Sequence, residues 1–439
     1  MRAKLGRVLA FLGLLLATAP TGFAQSPAAG PIALKPASAE SLEAAAPARQ
    51  DAERWPPLVY SFCAQPNCTD GANPVGELIT DAAGNLYGTT DGGGARSGGV
   101  VYMLKPIQGK NAWTQIVLHE FCNSYECLAG GAHPRAGVVM DGAGNLYGTT
   151  AGGGTSSEGV VFRLTPDATR TKWQETVLHA FCPPFTDCPD GAQPYGGLIM
   201  DTAGNLYGTT TYGGAHYAGV VFKLTPNQDR TGWTYSLLYS FCSQSNCLDG
   251  ASPVSGVILD AAGNLYGTTP GYGGGWSAGV VYQLAPSQNQ SAWTYTVLQT
   301  FCTPNNCAPG GAPNGLVLDK DGNVYGVVNG QYDSNGFVFR LAPNDSHTAW
   351  TTTVLYSFCQ QNNCADGLYP DDGLAMDEKG NLYGTTELGG EWGKGTLFRL
   401  SPAGAQWSLN TLYSFCRFAG ELSPNFGDGL RVQAATVRD

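Results

Sequence analysis

Short runs in which apolar and small polar residues alternate follow one another along this chain, separated by clusters of Gly, Pro, Asn and Asp. After the N-terminal stretch, no segment carries apolar residues at the helical spacing of three to four. Residues 197–253 show the pattern in full. GLIMD (197–201) reads as a short apolar strand, Thr202-Ala203-Gly204 as a tight turn, and NLYGTT (205–210) as a second strand. A Gly-rich loop (211–219) leads into VVFKLTP (220–226), a third strand ended by proline. A polar turn (227–232) then precedes WTYSLLYSF (233–241), a fourth strand, and a loop bracketed by cysteines. Strand-length runs rich in β-branched and aromatic residues between such breakers predict antiparallel hairpins.

The unit recurs. Asp81 opens the decapeptide DAAGNLYGTT, which returns with small changes at Asp141, Asp201, Asp260, Asp319 and Asp377. Four short strands in a repeat of roughly 60 residues predict a propeller blade, since separate sandwiches need about 100 residues each. The fold expected is therefore all-β: a β-propeller of four-stranded antiparallel blades, six in number. The fourth-strand pattern occurs a seventh time, at residues 58–62, and residues 429–439 begin like another first strand. Seven blades, with an incomplete one built from both termini, is the alternative. The fourth-strand tryptophans (Trp113, Trp173, Trp233, Trp293, Trp350, Trp407) and the Phe before each first cysteine are expected between blades. Within the decapeptide, Gly fits a left-handed turn position and Asp is placed to accept turn amides.

Residues 1–24 read as a signal peptide: basic Arg2, Lys4 and Arg7, an apolar run over 8–17, and Gly22-Phe23-Ala24 at the cut. Residues 25–54 form an Ala/Pro/Ser-rich lead expected to be disordered, 55–416 hold the repeats, and 417–439 form a tail or partial extra blade. The chain carries a net charge of −11, and removing those three cations makes it −14. With no Lys/Arg cluster, a nucleic-acid partner is not expected. No apolar run after the signal is long enough for a membrane span. Twelve of the thirteen cysteines form close pairs, Cys63/Cys68, Cys122/Cys127, Cys182/Cys188, Cys242/Cys247, Cys302/Cys307 and Cys359/Cys364. In a secreted chain these are expected to be disulfides, with Cys416 left over and free to pair between molecules.

The combined pattern D-x-x-G-N-L-Y-G-T-T, G-V-V-F-x-L-T-P, T-V-L-Y-S-F and D-G-A-x-P resembles the GloVer tandem-repeat family of secreted or surface-attached bacterial proteins, over residues 58–415. The resemblance implies a secreted propeller-like protein and no particular reaction. Two departures stand out. The fifth copy has Val327-Val328 in place of Thr-Thr, and no recognisable sorting or membrane anchor follows Phe415, which leaves surface attachment open.

Candidate chemistry is sparse. Six equivalent aspartates argue for turn capping over catalysis. Asp319-Lys320-Asp321-Gly322 opens like a calcium loop but lacks its closing acid, and no metal or cofactor is expected. His119 and His179 share a position with Tyr239, Gln299, Tyr356 and Tyr413, a packing pattern, while His133 and His347 lie in variable loops. The loop after Thr-Thr differs in every copy. It places Tyr212, His216, Tyr217, Tyr272, Trp276, Tyr332, Asp333, Glu391 and Trp392 on one expected face. Aromatics beside acids and amides suit sugar or peptide recognition. The function expected is a secreted, non-enzymatic binding or scaffold protein that recognises an extracellular polysaccharide or surface protein. The alternatives are a structural envelope protein and a glycan-acting hydrolase or lyase, for which Glu77, Asp371 and Asp372 are the candidate acids.

Overall fold

The computed structural model describes residues 59–110, 112–122, 130–270, 279–289, 291–302, 311–330, 334–371, 373–404, 406–415 and 437–438. It is a six-bladed β-propeller in which each blade is an antiparallel sheet whose strands neighbour one another in chain order. Blade 1 comprises Ala72–Thr80, Leu86–Gly92, Ser97–Pro106 and Trp113–Cys122, and blade 3 comprises Ile199–Met200, Leu206–Thr210, Val220–Pro226 and Trp233–Ser240. Blades 2, 4, 5 and 6 repeat the plan, with second strands at Leu146–Thr150, Leu265–Thr269, Val324–Val328 and Leu382–Leu388. Among the described residues no helix is long and apolar enough to cross a membrane.

Chemistry inside the decapeptide builds each inner hairpin. Asp201 Oδ1 accepts the amides of Ala203 and Asn205 at 3.0 and 2.8 Å, and Oδ2 accepts the Asn205 side-chain amide and the Tyr207 hydroxyl at 2.7 and 3.0 Å. Asp81, Asp141, Asp260, Asp319 and Asp377 make the same four contacts, so the aspartates are caps. Burial, reinforced by the Asp141 carboxylate, pushes the Tyr147 hydroxyl up to about 12. Asp319 is likewise spent on its turn, and the exposed Asp321 ion-pairs with Lys320 at 3.0 Å. The decapeptide's second glycine has a packing reason: a Cβ on Gly208 would lie 2.6 Å from the Phe222 ring.

The core lies between blades. Phe121, Phe181, Phe241 and Phe358, each at the end of a fourth strand, are buried in the blade that follows. The fourth-strand tryptophans are half-buried and reach the other way: Trp233, Trp293, Trp350 and Trp407 meet the decapeptide tyrosines Tyr147, Tyr207, Tyr266 and Tyr325 of the preceding blade edge-on at about 6 Å. Each fourth strand also carries a β-bulge, opposite Val221 and Phe222 in the pairing of blade 3, and that of blade 4 carries two. A bulge twists an outer edge away from pairing with other chains.

The termini do not build a seventh blade. The surplus fourth-strand motif forms no strand over its described residues 59–62, and instead sends Val59 and Phe62 into the core of blade 1. Phe62 takes there the seat that Phe121 takes in blade 2. At the other end, Val437–Arg438 pairs in parallel with Leu78 and Ile79, adding a fifth strand to blade 1. The terminal segments thus supplement blade 1, because its preceding neighbour is the last blade and cannot be reached through a continuous chain. Trp55, Leu58, Cys416 and the rest of the lead and tail lie outside the described residues.

Candidate functional site

Because every blade is a meander, the loops joining second to third strands and the cysteine loops that enter the next blade open on one face. The decapeptide turns open on the other. The second Thr of each Thr-Thr pair starts the upper loop: Thr210 Oγ1 donates to the Tyr212 carbonyl at 2.8 Å and accepts the Val220 amide at 3.2 Å. The first Thr ties blade to blade, as Thr89, Thr149 and Thr209 donate to the carbonyls of Ala136, Gly196 and Ser255 in the segment entering the next first strand. Copy five has lost both hydroxyls. There Asn329 Nδ2 donates to Asp371 Oδ1 at 2.9 Å, and Asn314 Nδ2 donates to the Asp371 carbonyl, so amides bridge blades 5 and 6 instead. That substitution explains why Val327-Val328 is tolerated, and it commits Asp371 to the blade interface.

The cysteine loops are braced twice. Cys63–Cys68, Cys182–Cys188, Cys242–Cys247 and Cys359–Cys364 are disulfides. Cys122 is disulfide-bonded as well. Cys127, Cys307 and Cys416 lie outside the described residues, as does the side chain of Cys302. Under three of the short loops sits a buried acid: Asp249 accepts the amides of Ser243 and Gln244 and the Tyr239 hydroxyl, the last at 2.6 Å. Asp70 and Asp366 do the same with Tyr60 and Tyr356. This is why His or Tyr occupies that fourth-strand position: His179 meets Asp190 at 2.8 Å. In copy two, where the sequence has no such Asp, His119 turns to Glu175 of the next blade at 3.3 Å. The upper loops then hydrogen-bond to the cysteine loops, Gly94 to the Cys68 carbonyl, Gly214 to Cys188 and Gly390 to Cys364, at 2.8 to 2.9 Å. In blades 1, 3 and 6 the two loops thus form one hydrogen-bonded platform.

Residues singled out from sequence stand on this platform in two places. Tyr212, His216 and Tyr217 share the upper loop of blade 3, and all three are exposed. Glu391 and Trp392 are exposed on blade 6, three blades around the ring. Tyr272, Trp276, Tyr332 and Asp333 lie outside the described residues. Of the candidate acids, Glu77 sits on the first strand of blade 1. Its Oε1 is 3.6 Å from where a Cβ on Gly373 of blade 6 would be, so it stands at the seam of the ring. Asp372 lies outside the described residues.

Two features were not foreseen. On the loop face, Asp91 pairs with Arg135 at 3.2 Å and with His133, whose Nδ1 is 3.0 Å from the Asp91 carbonyl. Arg135 lies 5.6 Å over the Tyr195 ring, the Tyr195 hydroxyl donates to Gln193, and Gln193 donates to Glu158, each at 3.1 Å. A polar strip thus crosses from blade 1 to blade 3. Hydrogen bonding to Asp91 raises the His133 pKa. A raised folded-state pKa contributes stability that is fully present below about pH 6.5, the ordinary value, and is lost as pH rises through the folded value. The thermal midpoint of the wild type is therefore expected to exceed that of His133→Gln by more at about pH 5.5 than at about pH 8.5; a pH-independent difference would disprove the ion pair. The second feature is Phe185, fully exposed in the disulfide loop that enters blade 3. The signal for it was in the spacing: Cys182 and Cys188 are six residues apart where the other described pairs are five apart. Among the described residues, no group of three or more His, Cys, Asp or Glu side chains is placed to hold a metal ion.

The sequence profile of the Gloeobacter/Verrucomicrobia repeat matches residues 58–188, 121–312, 168–368 and 229–430 in overlapping stretches. No curated protein matches the chain in sequence. Similar solved structures include a protein from Lactobacillus plantarum (14% identity, 81% of this chain and 86% of that one, TM-score 0.48). Another is the PQQ-bound aldose sugar dehydrogenase of Streptomyces coelicolor (12% identity, 77% and 95%, TM-score 0.42). A third is a GH43 endo-arabinanase from Bacillus licheniformis (13% identity, 64% and 98%, TM-score 0.35).

Proposed function

The chain belongs to the Gloeobacter/Verrucomicrobia repeat family, and from that premise we propose that it is a secreted, non-enzymatic binding protein that takes a glycan on the loop face of its propeller. One observation carries the reading. Among the described residues the exposed aromatic side chains are Phe185, Tyr212, Tyr217 and Trp392, and all four stand on that face. Among the described residues, the turns of the opposite face and the outer strands show no exposed Phe, Tyr or Trp. Exposed aromatic rings offer flat apolar area and cost little conformational entropy when they bind, because each has only two side-chain torsions. The loops beneath them are already ordered by disulfides and by hydrogen bonds to one another, which lowers the entropy lost on binding. Sugar rings, with apolar C–H faces and polar rims, match aromatic planes flanked by Glu, Gln and Arg. Secretion is supported by the signal-like N-terminus and by the disulfides, which persist in oxidising compartments.

The test is native gel electrophoresis of the mature chain in gels carrying single dissolved polysaccharides, neutral and acidic, of plant and bacterial origin. Retardation by at least one polymer, abolished by an excess of its oligosaccharides, is expected. Unchanged mobility across the whole panel would refute glycan binding and favour a protein ligand or a structural role.

A further inference from the structure

Blade 3 differs from its siblings where a ligand would meet it. In the three described short cysteine loops the left-handed tip is Asn67, Asn246 or Asn363, with φ of 56 to 58°. Asparagine tolerates that conformation better than other side chains bearing a Cβ. The longer loop of blade 3 puts Phe185 in it, at φ 64° and 109% exposure. An aromatic ring in a strained backbone position, with its whole surface in water, does nothing for the fold. Strain of that kind, where observed, points towards function. The loop that carries Phe185 is tied to the loop carrying Tyr212 and Tyr217 by the Gly214 to Cys188 hydrogen bond, 2.8 Å. Tyr217 is 60% exposed, again with a left-handed backbone, and Tyr212 is 47% exposed. Inward from these rings runs the Gln193, Glu158 and Tyr195 strip.

We propose that blade 3 holds the principal binding patch, in which Phe185, Tyr212 and Tyr217 stack on the sugar rings of a neutral polysaccharide while Gln193 and Glu158 hydrogen-bond its hydroxyls. Charge selects a neutral polymer. The exposed Asp187 and the half-buried Glu158 flank the patch, the chain is acidic overall, and Arg135 is already engaged by Asp91. An acidic polymer would meet like charge there. The proposal rests on the glycan reading above and narrows it to one blade and one class of polymer.

The experiment compares the wild type with Phe185→Asn/Tyr217→Ala and with Leu237→Ala, an exposed apolar residue of the outer strand away from the loop face, in native gels containing a neutral β-glucan, a galactomannan, alginate or polygalacturonate. Phe185→Asn restores the tip residue of the described short loops, so the double variant is expected to keep the wild-type thermal midpoint. The wild type is expected to be slowed by a neutral polymer only. The double variant should lose at least tenfold in affinity, and Leu237→Ala should stay within about twofold. A double variant that binds like the wild type, an equal loss with Leu237→Ala, or binding of the acidic polymers alone would overturn the blade-3 assignment while leaving glycan binding standing. A wild type that no polymer slows overturns both.

Discussion

Replacing Phe241 by Ala is expected to destabilise the propeller by about 3–5 kcal/mol, the range for removing a fully buried aromatic ring. Phe241 ends the outer strand of blade 3, but its ring packs into blade 4, 5.2 Å from Tyr282 and 6.1 Å from Tyr295. It shares its cluster with Val257, Leu265, Val280 and Leu284, all on blade 4. The void would open at a blade interface, where the flanking sheets are held by their own hydrogen bonds and cannot collapse to fill it. Leu237, four residues earlier on the same strand, faces solvent at 47% exposure. Leu237→Ala is expected to change stability by less than about 0.5 kcal/mol. Urea midpoints of the two variants, measured together, check the claim. Equal effects would mean that the blades are not joined through their fourth-strand phenylalanines.

The fold was legible because its determinants are local and repeated. Asp201 caps a turn only two and four residues away, so its role follows from spacing alone. The cysteine pairs and the four-strand order are local in the same sense. What joins the blades was less visible. Thr89 donates to Ala136, 47 residues on, and nothing in Thr-Thr announces that partner. The exchange of Thr-Thr for Val327-Val328 has no local reason; its counterpart is the bridge from Asn329 to Asp371, 42 residues on. The candidate site was legible only in part. Variation among the upper loops marked Tyr212 and Tyr217, but His133 and Arg135 lie in the Ala-x-Pro-x entry segments, and they meet Asp91 only because the ring sets blade 2 beside blade 1. Phe185 gave no such signal, because it lies inside the Cys182–Cys188 loop, whose cysteines speak only for a disulfide.

Gly137→Ala is expected to be costly at a position where alanine is ordinarily an improvement. Next to the propeller axis the first strands approach one another so closely that a Cβ on Gly137 would lie 2.1 Å from the Glu77 carbonyl oxygen, and one on Gly256 would lie 2.5 Å from the Gly197 carbonyl oxygen. Contacts that short cannot be relieved by rotating a side chain; two backbones must part. Parting blades 1 and 2 also stretches the bond from the Thr89 hydroxyl to the Ala136 carbonyl, 2.8 Å, which sits one residue from the substitution. The expected loss is roughly 3 kcal/mol, at the upper end for overpacking. Gly142, five residues further on in the decapeptide turn, has open space around its Cβ direction. Gly142→Ala narrows the unfolded ensemble and is expected to be neutral or to stabilise by up to about 1 kcal/mol. The pair of variants separates lost backbone freedom from lost room, because both make the same chemical change. If both destabilise alike, the axis is not closed by strand-to-strand contact. If Gly137→Ala alone destabilises, glycine at this place in five copies marks a ring closed by its own main chain. Glu77, which stands where those copies have glycine, then belongs to the one seam where a side chain can be accommodated.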